Sequence, residues 1–356
     1  METEGDGNEN PRCQAPIKLL LQGAAGVYQA PLNFNGVKRT VMLDTGSSLT
    51  WVALEKGDNE MPEHESGSMD DGDGYEDGQS FEGRFKYGLL EIGGGGSAHS
   101  HEIECDSGTH SLKIEEAAVI VVSHSIKYPT RGVVGLSLRM ACPFKIDGIQ
   151  HPGDLCRRIM QSFPVGRRFL GLEIDRLQAH SADLNSNLTG PSSIIFGGLH
   201  AAPEDFSWTE KIPRSESDWF VEVQINMGSG DDFRKVRVLV DTGCSHFKIC
   251  ESITRWMSKV WGCDVRNMRR EELGDCEVGI RIAGREMAVN AKDLVLKEDP
   301  DADDGGRECN RVSAGEKLKS HDGQEYDCVF GMAFLMGFKA VAFDYELRKI
   351  GFIRRE

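Results

Sequence analysis

The sequence predicts an all-β chain folded as two related halves. Three observations predict it: short β-branched segments bounded by turn residues, one motif written twice, and a second motif that follows each copy at nearly equal distance. Bulk properties agree. A chain of 356 residues can form two domains or one large β-rich unit, and 28% charged with 39% hydrophobic residues is an ordinary globular composition.

The strand-like segments are "IKLLLQG" from Ile17, "RTVMLD" ending at Asp44, "AAVIVVS" from Ala117 and "SSIIFGG" from Ser192. "FVEVQINM" from Phe220, "VRVLVD" ending at Asp241 and "AVAFDY" from Ala340 follow in the second half. Helical spacing is confined to two stretches. "SITRWMSKVW" carries Ile253, Trp256, Met257, Val260 and Trp261 on one face, and "GDLCRRIMQSF" carries Leu155, Ile159, Met160 and Phe163. Both stripes are expected to pack on a core. Residues 200–217, with two prolines and many polar side chains, are the expected connection between halves.

The doubled motif is the chemical signal. Residues 41–52 read "VMLDTGSSLTWV" and residues 238–245 read "VLVDTGCS", which places Asp44 and Asp241 197 residues apart. Gly135 in "RGVVGLS" lies 91 residues after Asp44, and Gly331 in "DCVFGMA" lies 90 after Asp241. Two motifs repeated in order at this spacing imply an internal duplication. A single carboxylate at a strand end could simply cap a turn. Two halves related by a pseudo-twofold axis instead bring Asp44 and Asp241 face to face. Neighbouring carboxylates cannot both ionise comfortably, so one keeps a proton. The charged member can then take a proton from water while the neutral one gives a proton to a carbonyl oxygen, which is general acid–base hydrolysis of an amide.

With these residues the chain resembles the pepsin-like aspartic proteases, from about residue 17 to residue 354. Asp44-Thr45-Gly46-Ser47-Ser48 followed by Trp51 is similar to the family's first catalytic loop, including a tryptophan seven residues after the aspartate. "SSIIFGGLH" is similar to the end of the family's first lobe, "DWFVEVQINMG" to the opening of the second, and "FLMGFKAVAFDYELRKIGFI" to the closing strands. The resemblance implies a bilobal pepsin-like fold with the active site in the cleft between two β lobes. The division expected is an acidic leader at 1–16, a first lobe at 17–203 and a second lobe at 204–356. It implies an aspartic endopeptidase favoured by acid, with a peptide or protein substrate and no cofactor, working as a monomer.

By the same resemblance Asp44 and Asp241 hold the catalytic water, while Gly46 and Gly243 let backbone amides approach the carboxylates. Thr45 and Thr242 tie the loops together, and Ser47 bonds the outer oxygen of Asp44. Where the family has Thr or Ser after its second Asp-Thr-Gly, this chain has Cys244. That residue is either a weaker donor to Asp241 or a small filler of a tight turn. The family's flap is a β-hairpin carrying a tyrosine, and Tyr87 is the candidate, although Leu89 and Leu90 replace the usual small tip. A second register puts "IGGGGS" (92–97) at the tip. Trp51 packs under this flap or belongs to the lobe core. Cys276 and Cys309 match the family's second-lobe disulfide, and Cys142 is paired with Cys156. The alternative to an enzyme is a catalytically impaired relative that holds peptides or proteins in its cleft.

The net charge of −16 argues against nucleic-acid binding, which needs basic surface. No run of eighteen apolar residues is present to span a membrane. Ten cysteines make a disulfide framework plausible and a secreted or vacuolar setting with it, where Asn187-Leu188-Thr189 would be a glycosylation site. The first residues lack the basic start of a secretory signal, so the signal has been removed or the protein stays inside a cell. No C-x-x-C occurs, and "HSHEIEC" (99–105) is explained by a solvated hairpin as well as by metal binding. The acidic stretch 58–77 fails as a calcium loop: counting from Asp71, the sixth position is Glu76, where glycine is required. No metal site is expected.

Overall fold

The structure, a computed structural model of the chain, describes residues 16–24, 27–55, 68–69, 83–93, 111–122, 131–138, 144–146, 149–151, 155–174, 193–216, 218–228, 232–245, 247–265, 276–294, 317–319 and 324–355. The expected strand segments all form strands. Helices are few, and the two predicted ones are present at Leu155–Gln161 and Glu251–Trp261. The second ends at Gly262, whose φ of 71° supplies the left-handed turn that stops it.

The duplication is visible in the sheets. In the first half, Val37–Asp44 pairs antiparallel with Val27–Phe34 on one side. On its other side it runs parallel to Gly132–Gly135, which in turn meets Trp51–Ala53 antiparallel. The second half repeats this arrangement strand for strand. Arg234–Val240 pairs with Phe220–Asn226 and runs parallel to Cys328–Phe330, which meets Phe247–Ile249 antiparallel. Parallel central strands are covered on both faces, so their ends read as unbroken apolar runs. Val41, Met42, Leu43 and Asp44 are accordingly all buried, as are Val238, Leu239 and Val240. The apolar run ahead of each aspartate drives a carboxyl into the interior.

The first-half sheet curls round on itself. Beyond Trp51–Ala53 it continues through Ser111–Val122 to Gly83–Gly93. Leu90–Ile92 then returns to pair with Leu32–Phe34. A third sheet joins the halves. It runs Ile17–Leu20, Ser193–Phe196, Phe169–Glu173, then Phe338–Asp344, Lys349–Arg354, Ser207–Trp208, three strands from each half. Its central pair sets Leu172 beside Val341 and Leu170 beside Phe343 across the midline.

The connecting segment at 200–217 is therefore built into the fold. It contains a 3-10 turn at Pro203–Asp205 and the strand Ser207–Trp208. Beyond it, Thr209 and Ile212 donate to Ile350 and Arg348 carbonyls at 2.8 Å each. An aromatic ladder links the second-half sheet to the shared one: Phe330 stacks on Phe334 at 3.6 Å, Phe334 meets Phe338 at 5.9 Å, and Phe338 meets Phe352 at 4.9 Å. Each such pair adds about 0.5–1.5 kcal/mol beyond its buried area. Among the described residues no helix is long and apolar enough to cross a membrane.

Candidate active site

Asp44 and Asp241 leave equivalent strands and their carboxyl groups meet through a side-chain hydrogen bond. Reciprocal threonine contacts bring the two loops together. The Thr45 N–H donates to Thr242 Oγ1 at 3.0 Å, and the Thr242 N–H donates to Thr45 Oγ1 at 3.0 Å. Each hydroxyl then donates across the junction, Thr45 to the Val240 carbonyl at 3.1 Å and Thr242 to the Leu43 carbonyl at 2.7 Å. All four bonds are buried, so no water competes for them. The residues after each motif glycine brace the loops from behind. Leu136 N–H donates to the Asp44 carbonyl at 2.7 Å and Met332 N–H to the Cys244 carbonyl at 2.7 Å.

The two glycines serve the opposite carboxyl as well as their own. Gly46 N–H donates to Asp44 Oδ1 and Gly243 N–H to Asp241 Oδ1, both at 2.8 Å. A Cβ on Gly46 would lie 2.5 Å from Asp241 Cγ, and one on Gly243 would lie 2.3 Å from Asp44 Cγ. No larger residue fits while the carboxyls stay together.

The surroundings of the two carboxyls differ. On Asp44 the loop donors take both oxygens, because the Ser47 hydroxyl donates to Oδ2. On Asp241 the Gly243 and Cys244 N–H groups converge on Oδ1, at 2.8 and 3.1 Å. Part of Asp241 stays open to solvent, yet its carboxyl is surrounded by protein mass. Burial pushes its pKa well above the ordinary 3.8, and the charge and hydrogen bond of Asp44 push the same way. The Gly243 N–H and the Lys248 ammonium oppose this without reversing it. The pair is thereby disposed to hold a proton between its two carboxyls.

Lys248 is a residue the sequence reading missed, although its spacing could have found it. It stands seven residues after Asp241, as Trp51 stands seven after Asp44. The registers agree: Trp51 lies opposite Val133 and Lys248 opposite Val329, each two residues before the motif glycine. The internal symmetry thus puts a cation in one half where the other has an indole. Trp51 itself is fully buried, in a cross-strand row with Met42, Val133 and Ile120.

Tyr87 does not stand at a hairpin tip. Its strand runs on from Gly83 to Gly93, with Tyr87 opposite Ala118 and a bulge between Gly88 and Leu90. The bulge is tied to the turn at Asn35, whose side chain accepts from Leu89 N–H at 2.9 Å and donates to the Tyr87 carbonyl at 3.3 Å. Pairing that continues as far as Gly93 opposite Ser111 keeps Tyr87 within the strand. The tip itself lies outside the described residues.

The expected disulfides are not formed. Cys276 carries a free thiol rather than a bridge to Cys309, and Cys156 is a thiol hydrogen-bonded with Tyr345 rather than the partner of Cys142. Cys309 and Cys142 lie outside the described residues. Strand alternation separates another adjacent pair. Cys328 stands opposite Ile249, so Cys250, the next residue, turns to the other face, toward Asp327 and Ser252 at 3.8 and 3.1 Å. Among the described residues no group of His, Cys, Asp and Glu could hold a metal. "HSHEIEC", nearly all of the acidic stretch 58–77 and the sequon at Asn187 fall outside them.

Comparison with known proteins agrees with this architecture. A comparison with curated proteins gives no match. Among solved structures, the aspartic proteinase from Irpex lacteus is similar with a TM-score of 0.68 and 16% identity, covering 96% of this chain and 98% of that one. At that identity the likeness speaks for the fold. The model of the eukaryotic aspartyl protease family matches residues 34–354, spanning both Asp-Thr-Gly loops and the closing strands, and the chain belongs to that family.

Proposed function

We propose that this protein is an aspartic endopeptidase that hydrolyses peptide bonds between two lobes, with Asp44 as general base and Asp241 as general acid. The observation that supports this reading is the pair of reciprocally bonded loops that sets the two carboxyls against each other, with burial and Asp44 raising the Asp241 pKa. Asp44 takes a proton from water as the water oxygen attacks the amide carbon, and Asp241 gives its proton to the carbonyl oxygen. The tetrahedral adduct collapses when its nitrogen takes the proton from Asp44, one of its hydroxyls returns a proton to Asp241, and the C–N bond breaks. A pair that must hold one proton works in acid to near-neutral solution. Thr45, Gly46, Thr242 and Gly243 hold the geometry, Ser47 orients Asp44, Tyr87 is the candidate substrate contact of the first lobe, and the buried Trp51 supports the sheet behind it.

A second reading, a peptide-binding relative with impaired catalysis, is favoured by one departure: Cys244 replaces the hydroxyl residue that Ser47 supplies to the first loop. Cleavage of an unfolded protein across pH 3–8, with and without a pepstatin-like inhibitor, separates the two. Inhibitable cleavage with an optimum below neutrality supports the enzyme. Inhibitor binding without cleavage at any pH supports the binder.

A further inference from the structure

The two halves do not treat their motif glycines alike. After Gly331 the chain turns at once into the helix Met332–Leu335, and the Met332 carbonyl accepts the Met336 N–H within its own half, at 2.9 Å. After Gly135, Leu136 and Ser137 are not helical, and the Leu136 carbonyl, in the interior, takes donors from the other half. The other half supplies two. Trp219 Nε1 donates to the Leu136 carbonyl at 3.1 Å, and the Tyr345 hydroxyl donates to the same oxygen at 2.5 Å. The two rings stand edge to face, 4.9 Å apart at 89°, and Trp219 also meets Phe343 at 5.0 Å. Leu136 and Trp219 are fully buried. The other face of Leu136 leads straight to the site, since its N–H donates to the Asp44 carbonyl at 2.7 Å.

We propose that Trp219 and Tyr345 form an inter-lobe latch, positioning residues that set the separation of Asp44 from Asp241 through the Leu136 backbone. Only two covalent bonds separate the atom they grip from the Cα of Leu136, and the N–H one bond further holds Asp44. A loosened latch lets Asp44 retreat with its strand while the threonine bonds still join the loop tips. The latch rests on the endopeptidase reading for its effect on turnover, but its effect on the dyad does not need turnover. The groups that face Asp241 are Asp44 across the junction, the Gly243 and Cys244 N–H groups and Lys248 on its own half. Asp44 is the charged group among these on the other lobe, and Gly46 packs against Asp241 from the same side, so separation of the lobes weakens the influence of Asp44 and the burial together. On the half that carries Lys248, Asp327 pairs with Lys317 and Glu251 with Arg255.

Tyr345→Phe tests the latch, because it removes the donor and keeps the ring against Trp219. The expected result is a kcat lowered about three- to tenfold with KM within twofold, the size of one lost hydrogen bond acting on geometry. Carboxyl carbon NMR of Asp241 is the second readout, and the pKa of Asp241 should move down toward the ordinary range as Asp44 moves away. A variant with wild-type kcat and an unmoved Asp241 titration, whatever its melting temperature, overturns the latch and leaves a purely structural bond. If the wild-type protein cleaves nothing, the endopeptidase reading fails, and the Asp241 titration alone decides the latch: a downward shift supports it and no shift overturns it. Trp219→Phe removes the second donor at greater cost to packing and, where it folds, should lower the Asp241 pKa in the same direction.

Discussion

Asp241 decides the pH behaviour of the site. Its pKa in the folded protein is raised, chiefly by burial and then by Asp44. A carboxyl that binds its proton more tightly when folded contributes stability at low pH. That contribution is lost as pH rises from the ordinary value of 3.8 through the raised one. Asp241→Asn has no such proton to lose, so it should melt at a higher temperature than the wild-type protein at neutral pH, and the gap should close in strong acid. A thermal scan at several pH values checks this; a constant gap contradicts it. Lys248 pulls in the opposite direction. Its ammonium favours the ionised carboxyl, so Lys248→Met should raise the Asp241 pKa further and shift both limbs of the pH–rate profile upward, while Lys248→Arg leaves them in place. An unmoved profile in Lys248→Met would show that the cation does not act on the dyad.

At the scale of elements, the bulged strand Gly83–Gly93 depends on one side chain. Asn35 sits at φ 49°, a left-handed turn conformation, and its amide bridges Tyr87 and Leu89 on the neighbouring strand. A Cβ on Gly88 would fall 2.0 Å from the Asn35 amide nitrogen, so the glycine and the asparagine define one joint. Asn35→Ala removes both bonds and leaves a strained backbone; the expected loss is about 1–3 kcal/mol in urea unfolding. Loss below about 0.5 kcal/mol would show that the joint does not carry the strand. This joint also marks where the sequence was hard to read. Strands with local alternation, such as "FVEVQINM", were legible because each residue states its own face. The bulge was not, because it is set by Asn35, 54 residues from Leu89, and the spacing of Tyr87 from Asp44 put Leu89 and Leu90 at the flap tip. The pairing of Cys276 with Cys309 rested on the family's usual position for a bridge, and the thiols of Cys276 and Cys156 are not bridged.

For the whole molecule, the duplicated loops were legible because a twofold relation repeats its residues in the chain. Asp-Thr-Gly and the later glycine appear twice, and the paired sheets follow from them. What breaks the symmetry left no repeated signal. Trp219 and Tyr345 reach Leu136 from 83 and 209 residues away in the chain. The shared six-stranded sheet was likewise hidden, since its strands look ordinary until three from each half are set side by side. The junction itself should behave as one cooperative unit. Thr242→Val leaves the Thr45 N–H and the Leu43 carbonyl buried without a partner, at about 1–3 kcal/mol for each group. Thr45→Val should cost a similar amount, and the double variant less than the sum, because losing one hydroxyl's two bonds already loosens the junction that aligns the other's. Additive losses in urea unfolding would mean that the two hydroxyls act separately.

The central claim is that a two-carboxyl dyad with one proton does the chemistry, and single-turnover cleavage of an unfolded protein in acid by Asp44→Asn and by Asp241→Asn tests it most directly. Both variants should keep the wild-type fold by circular dichroism, and each should lose cleavage, because either substitution removes half of the proton exchange. Wild-type turnover in either folded variant would contradict the account.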